Sequence, residues 1–420
     1  MWGRNPAAVG SGSLGAMIRP NDGPLGPRPR PRCEGGFTKQ VYLTRRKFLW
    51  SCVRLAAVAA LPLPLPGSAA AEVAVPQMVR GLVHPRLSPF FERLAGKSIR
   101  CTLCPKRCVV AEGARGACEV RENRGGDYYS LTFGNPCAIQ IDPVEKKPFF
   151  HVLPATLSFS LATAGCNFDC KFCQNWEISQ ARPEATLNYD LPPERAVSLA
   201  LAAGCRTLAS TYVEPTIFTE YMLELARLCR AAGILKVMHS NGFVEAAPLA
   251  ALVSAGLRAA AIDLKGFTEG YYAGMCEGAL SPVLATLKRL RTAGVHVEVV
   301  NLVVPGANDD PKVVAAMCAW IKRELGADTP LHFTRFQPLY KLRNLPPTPI
   351  DTLSKLREVG IKSGLNFVYV GNVPGHPGES TTCPKCHRVL IRRSGYEVRE
   401  VSVKAGKCPG CGRPIPGIWC

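Results

Sequence analysis

From Thr156 onward, short runs of apolar and β-branched residues alternate with longer stretches of helical period. The short runs fall near 157–162, 207–212, 235–239, 258–263, 295–303, 331–336 and 366–370, and their length and branching predict strands. Between them, Ile217–Ala232, Leu280–Ala293 and Lys312–Leu325 are rich in Ala, Leu and Arg at helical spacing and predict helices. Gly233, Gly256, Gly294 and Gly326 stand just past helical stretches, where a left-handed residue closes the last turn. Strand–helix alternation implies an α/β fold with a parallel sheet and right-handed crossovers. Six or seven such units predict a partial (β/α)6-type barrel over 156–372, with its chemistry at the C-terminal ends of the strands. A doubly wound open sheet is the alternative on pattern alone.

The first 71 residues do not share this pattern. Residues 1–40 are rich in Pro, Gly and Arg without period, and predict a disordered extension, with Val41 as a natural alternative start. Residues 41–71 resemble a twin-arginine export signal. Arg45 and Arg46 precede an apolar stretch through Leu65, and Gly67-Ser68-Ala69-Ala70-Ala71 offers small residues for cleavage before Glu72. Arg54 and the prolines that follow argue against a transmembrane helix. The rest divides into a Cys-rich segment over 98–155, the barrel, and a small module over 380–420.

Composition excludes several classes. With 47% hydrophobic and 20% charged residues, the 420-residue chain is neither disordered throughout nor a coiled coil or collagen. It has no uninterrupted apolar run of about 18 residues, which argues against a multi-spanning membrane protein. The formal charge is +19, of which the first 80 residues, with 11 Lys and Arg against 3 Asp and Glu, carry +8. The basic remainder fits either an anionic partner such as nucleic acid or a solvated surface.

The cysteines carry the chemistry. There are 19, an odd number, and most stand in three tight groups, which suits metal or cluster ligation better than a disulfide scaffold. Directly after the first barrel strand, Cys166, Cys170 and Cys173 follow a C-x3-C-x2-C spacing. Three thiolates in one loop can hold three irons of a [4Fe-4S] cube and leave the fourth open to a small molecule, with Phe172 placed to shield it. The competing reading is a zinc site with a distant fourth ligand. Upstream, Cys101, Cys104, Cys108 and Cys118 can close a complete shell around zinc or an auxiliary iron–sulfur cluster, or form two disulfides. Near the C-terminus, Cys383-Pro384-Lys385-Cys386 and Cys408-Pro409-Gly410-Cys411 flank strand-like runs at Arg388–Arg392 and Glu397–Val403. Two such knuckles joined by a hairpin predict a zinc ribbon. Cys33, Cys52, Cys137, Cys205, Cys229, Cys276, Cys318 and Cys420 show no ligand spacing and read mostly as small buried hydrophobes.

The C-x3-C-x-aromatic-C loop after strand one resembles the radical S-adenosylmethionine (SAM) superfamily. Two longer runs are similar to the radical SAM enzyme of the AmmeMemoRadiSam system, a relative of the pyruvate formate-lyase activating enzymes. They are Asp142-Pro143-Val144-Glu145-Lys146-Lys147-Pro148 and Thr163-Ala164-Gly165-Cys166-Asn167-Phe168-Asp169-Cys170-Lys171-Phe172-Cys173-Gln174-Asn175. The resemblance covers about residues 98–420. It implies that Glu214, in Thr211-Tyr212-Val213-Glu214-Pro215, holds the SAM amino group. It also implies that Asn241 orients the ribose or the methionine carboxylate, that Asp263 to Lys265 forms a polar edge of the site, and that Val304-Pro305-Gly306 lies against adenine. Taken alone, Glu214 could be a loop carboxylate, Asn241-Gly242 a turn, and Asp263 with Lys265 a strand-end salt bridge.

The expected activity is reductive cleavage of SAM at a [4Fe-4S] cluster to a 5′-deoxyadenosyl radical, which abstracts hydrogen from an unidentified substrate. The implied partners are a low-potential donor such as ferredoxin or flavodoxin, and Memo-like and AMMECR-type proteins. Glycyl-radical activation is an alternative, although the ferredoxin-like cysteine insert common in those enzymes is absent. tRNA modification and a non-catalytic, metal-stabilised binding role are the others. Location is divided, because SAM and low-potential reductants belong to the cytoplasm while residues 41–71 suggest export.

Overall fold

The computed structural model describes residues 76–420. The predicted extension over 1–40 and the twin-arginine-like stretch over 41–71 lie outside the described residues. The centre of the fold is an eight-stranded sheet: β1 Ala138–Pro143, β2 Leu157–Ala162, β3 Thr207–Ser210, β4 Leu235–Ser240, β5 Leu257–Asp263, β6 His296–Val303, β7 Leu331–Arg335 and β8 Val368–Gly371. Its strands stand side by side in chain order, from β1 at one edge to β8 at the other. β2 to β8 pair in parallel, and β1 runs antiparallel to β2, with Ala138 opposite Ala162 and Pro143 opposite Leu157. A doubly wound sheet reverses its direction of growth at a switch point. This one never does, so the winding is that of a barrel left open between β8 and β1.

The connecting helices are α1 Pro193–Ala202, α2 Thr219–Ala231, α3 Ala246–Ala255, α4 Glu269–Cys276, α5 Leu280–Thr292, α6 Pro311–Glu324 and α7 Ile350–Lys362. Their apolar stripes face the sheet. In α2, Tyr221, Leu225 and Cys229 recur every four residues and are buried. α6 starts where Asp310 caps the Lys312 amide and Pro311 presets the first turn. The strand expected over 207–212 stops at Ser210, and the helix expected from Ile217 starts at Thr219. Tyr212 is left-handed (φ 68°), and Pro215 opens a 3-10 turn over Pro215–Phe218.

The inner face of the sheet is lined by small residues, Ala209, Val237, Ala259, Ala261 and Val300. The space they leave is filled by Val144, Phe149, Val152 and Leu153, from the segment that joins β1 to the start of β2. That segment enters at the N-terminal ends of the parallel strands and plugs the barrel there. The buried Glu298 carboxylate pins it, accepting from the amides of Phe150 (3.1 Å) and His151 (2.8 Å) and lying 2.7 Å from His332 Nε2. Below the plug lies a three-stranded antiparallel sheet, β9 Thr381–Thr382, β10 Val389–Ser394 and β11 Glu397–Val401. Phe150, Phe367 and Tyr369 join Leu390, Ile391 and Ile415 in one apolar cluster, and Arg393 donates to the Phe150 carbonyl at 2.7 Å. This leaves the opposite end of the barrel open for chemistry. There the Cys-rich segment and the residues just before it contribute two small three-stranded sheets, one holding Phe91–Arg93, Ile99–Cys101 and Val109–Val110, the other Arg86–Leu87, Arg121–Arg124 and Asp127–Ser130. Among the described residues, no helix is long and apolar enough to cross a membrane.

Candidate active site

The loop that follows β2 carries Cys166, Cys170 and Cys173 and is clamped from every side. Gly165 before it is left-handed (φ 88°). A Cβ there would stand 2.4 Å from Val120 Cγ1 and 2.7 Å from the Cys118 carbonyl oxygen, so only glycine lets the Cys-rich segment approach. Asn167 donates to the Phe243 carbonyl (2.9 Å) and accepts from Asn241 Nδ2 (2.8 Å), which ties the loop to the end of β4. The amides of Asp169 and Lys171 donate to the carbonyls of Cys276 and Met275, and Lys341 pairs with Asp169 at 2.5 Å. Phe168 fills the space above Gly278, where a Cβ would lie 2.3 Å from its ring. Such a loop loses little freedom when it binds a ligand, which is what a preorganised site requires.

The three thiols converge at the strand ends. Burial pushes the Cys166 and Cys173 thiols up, while the neighbouring Cys276 thiol and then burial raise Cys170. They become thiolates only with a cation to hold them. Phe172 is buried beside them, with Lys265 Nζ 5.6 Å above its ring. The donor set fits a [4Fe-4S] cube held by three cysteines, because these sulfurs do not draw together around a single ion. Among the described residues, only Cys383, Cys386, Cys408 and Cys411 form a set whose ligand atoms all lie within 4.8 Å of one another.

Glu214 is 2% exposed, so it is not a surface carboxylate. One oxygen accepts from the Thr216 amide (2.9 Å), Thr216 Oγ1 (2.6 Å) and Ser240 Oγ (2.8 Å); the other accepts from the Asn241 amide alone (2.7 Å). Burial raises its pKa, and it lies close enough to Cys166 to raise that thiol too. The second oxygen keeps room for one more donor, such as an ammonium. Asn241 is more fully used: its amide, its Nδ2 and its Oδ1, which accepts from Phe243 N at 2.9 Å, all serve the turn and the loop clamp. These bonds make it a turn residue that also positions its neighbours. Lys265 makes the strand-end salt bridge, 2.7 Å from Asp263, which also receives His239 Nε2 at 2.8 Å. Burial opposes both charges, yet Lys265 and His239 hold the Asp263 carboxyl well below its usual range, and Asp263 keeps Lys265 protonated. Asn308 bonds the Val304 amide (2.7 Å) and the Lys265 carbonyl (2.7 Å), joining the 304–308 turn to the same edge.

Two groups escape a reading by spacing. Cys276, at the end of α4, is fully buried against Cys170. A triad of Asp142, Lys147 and Tyr212 links β1 to the turn after β3. Lys147 Nζ lies 2.6 Å from Asp142 and 2.7 Å from Tyr212 Oη, which donates to Asp142 at 2.7 Å. Burial lowers the Lys147 pKa to about 8. The strained Tyr212 is held through its carbonyl by Asn175 of the cysteine loop (2.7 Å), so triad and loop are one rigid unit.

The remaining cysteines also have definite places. Cys101, Cys104, Cys108 and Cys118 line one cavity with Arg121, Tyr128 and Asn167, and all four are free thiols, not disulfides. In the C-terminal module, Cys383 lies 3.6 Å from Cys411 and Cys386 3.5 Å from Cys408, sulfur to sulfur. Cys205, Cys229 and Cys318 are buried packing residues, while Cys137 is half-buried, its amide bonded to Ala162.

Comparison with known proteins adds a family. Residues 160–317 match the model of the Radical SAM superfamily. The chain is 42% identical over 332 residues to the uncharacterized protein MJ0808 of Methanocaldococcus jannaschii, covering 79% of this chain and 98% of that one. Among solved structures, similarity extends to a domain of pyruvate-formate lyase-activating enzyme from Bacteroides vulgatus (13% identity, 40% of this chain and 99% of that one, TM-score 0.35). It also extends to a radical SAM methyltransferase from Sphaerobacter thermophilus (12% identity, 52% and 66%, TM-score 0.42). At these scores neither structure carries an argument about function.

Proposed function

The chain belongs to the radical SAM superfamily and is a radical SAM enzyme; from that premise we propose that Cys166, Cys170 and Cys173 hold its [4Fe-4S] cluster and that Glu214 receives the SAM amino group. The observation that carries this is the clamped three-thiol loop beside a buried carboxylate with one acceptor position to spare. When bound, cluster and SAM supply a 5′-deoxyadenosyl radical that takes a hydrogen atom from substrate. The chain's own residues do the rest. Glu214 ties the ends of β3 and β4 and faces the ammonium. Asn241 holds the cysteine loop in register through Asn167 and touches no ligand in this reading. Lys265, fixed by Asp263, places a positive charge beside Cys170 and offsets the negative charge that thiolate ligation brings. Phe172 excludes water from the loop. The Asp142–Lys147–Tyr212 triad, closed by its own hydrogen bonds, fixes the β1 side of the barrel against the turn that leads to Glu214.

The two long runs that resemble the AmmeMemoRadiSam enzyme support placement in that branch, with Memo-like and AMMECR-type proteins as partners, ferredoxin or flavodoxin as donor, and a protein or small molecule as substrate. In the C-terminal module, the close approach of Cys383, Cys386, Cys408 and Cys411 supports a zinc ribbon that caps the plugged end of the barrel. The test is chemical. Anaerobic protein reduced with dithionite should convert SAM to 5′-deoxyadenosine and methionine, and a Cys166→Ser variant should not. Equal yields from both would refute the assignment.

A further inference from the structure

The chain has two four-cysteine groups, and they are built differently. Around one zinc ion, a Zn–S bond of about 2.3 Å puts neighbouring sulfurs ~3.8 Å apart. The C-terminal group matches this, with two sulfur pairs at 3.6 and 3.5 Å and all four atoms within 4.8 Å. Cys101, Cys104, Cys108 and Cys118 do not. Among the described residues only the C-terminal four stand as a set ready for one ion, and the upstream four instead line a shared cavity. Cys166, Cys170 and Cys173 likewise do not form a single-ion set. A cube of four irons must be gripped from outside, with its thiolates held apart, whereas a single ion pulls them together.

The walls of the cavity are fixed by backbone bonds and close packing. Gly116 lies where a Cβ would meet Tyr128 Oη at 2.7 Å and stand 3.8 Å from Cys108 Sγ. The Cys101 amide donates to the Cys108 carbonyl at 2.9 Å, and the Arg107 amide to the Cys104 carbonyl at 3.0 Å, which fixes the knuckle. Arg121 is fully buried in the cavity wall and is held by Glu220, the Ile217 carbonyl (3.0 Å) and Ser88 Oγ (3.0 Å). The group also abuts the first cysteine loop: the Cys118 carbonyl touches Gly165, next to Cys166, and Asn167 lines both sites.

From this we infer that Cys101, Cys104, Cys108 and Cys118 ligate a second, fully coordinated [4Fe-4S] cluster, not zinc, packed directly against the SAM-cluster loop. With four thiolates it has no open iron, so it does not bind SAM. With the Cys166 loop as reference, this inference rests in part on the SAM-cluster reading of that loop, and the experiment below separates the two.

Full-length protein is prepared anaerobically in two forms besides the unaltered chain, Cys166→Ser/Cys170→Ser/Cys173→Ser and Cys101→Ser/Cys104→Ser/Cys108→Ser/Cys118→Ser. Iron and zinc are counted, and EPR is recorded after dithionite with and without SAM. The first variant should keep about 4 irons and one zinc, with a reduced-cluster signal that SAM does not change. Loss of all its iron with about 2 zinc per chain would overturn the inference. If the first variant does not fold, the second decides: it should lose half the iron of the unaltered chain and no zinc, whereas loss of one zinc with iron unchanged would overturn the inference. Failure of the SAM-cluster reading would show separately, as a signal in the unaltered chain that SAM leaves untouched.

Discussion

The two ends of the barrel use the same ligand type for different ends. At the N-terminal ends of the strands, four cysteines close on one another and stand over a plug of Val144, Phe149, Val152 and Leu153. At the C-terminal ends, seven cysteines stand in two adjoining groups, one lining a cavity with Arg121 and the other beside Glu214. Spacing along the chain is similar in kind at both ends. What separates them is how far the backbone holds the sulfurs apart and what they are packed against: at one end an apolar cluster with Leu390, Ile391 and Phe150, at the other Glu214, Lys265 and Arg121. A metal that only stabilises can be sealed in; one that reacts needs a fixed loop with charge nearby.

Breaking the closed end should have the largest effect. Structural zinc in small modules supplies about 10–16 kcal/mol of binding free energy that is also folding free energy. Cys408→Ser with Cys411→Ser should therefore unfold residues 380–420, release one zinc and make that segment sensitive to protease, while the first cysteine loop keeps its iron. A protease-resistant tail in the zinc-free variant would contradict this. Next comes the junction of the two open-end groups. Gly165→Ala adds a methyl against Val120 and Cys118 on a left-handed backbone, which should cost roughly 2–5 kcal/mol in all. The expected result is iron loss from both groups with zinc retained, read by metal analysis and thermal melting.

Acid should weaken the closed end. Burial lowers the His151 pKa to about 4, against the partial support of Glu298, with its ring nitrogens 2.6 Å from the Pro416 carbonyl and Tyr369 Oη. The unfolded chain protonates this histidine near pH 6.5 and the folded chain only near 4. Stability is therefore complete above about 6.5 and falls by at most ~3 kcal/mol on the way to 4. Glu298, despite burial, is held well below its ordinary pKa by His296 and His332, so its contribution is lost further down, as pH falls through that depressed value. Hydrogen exchange at pH 7 and 5, with zinc content followed alongside, should show protection lost first around 149–153 and 415–418; loss starting in the cysteine loop would contradict this. The smallest effect is at Glu214. Glu214→Gln removes the charge and sets an amide against the Asn241 N–H, so SAM binding should weaken about 10–100-fold, or ~1.5–3 kcal/mol, with the cluster still loaded. Unchanged affinity would remove Glu214 from the SAM site.

Much of this was legible along the chain, for a physical reason in each case. The seven parallel strands show as runs of branched apolar residues because both their faces are covered. The cysteine loop shows because its three thiols are local. What escaped depends on contacts between distant residues. β1, Ala138-Ile139-Gln140-Ile141-Asp142-Pro143, shows only a short Ile-x-Ile alternation before an Asp-Pro-Val-Glu-Lys-Lys run without strand period, and Lys147 reads as surface until Asp142 and Tyr212 enclose it. The left-handed Tyr212 is imposed by its surroundings, since nothing about a tyrosine favours it. Cys276 meets Cys170 only through the packing of α4. The bonds of Asn241 to Glu214, Asn167 and Phe243 likewise join residues far apart in the chain or depend on its own turn, and the Asn-Gly step alone does not announce them.

The account stands most directly on low-temperature EPR of anaerobic, dithionite-reduced protein with and without SAM. A cube signal whose g-values shift on adding SAM, and which vanishes in Cys166→Ser, is the predicted result. A cube signal that ignores SAM would mean that the Cys166 loop holds a closed or structural centre, and the catalytic reading would fall.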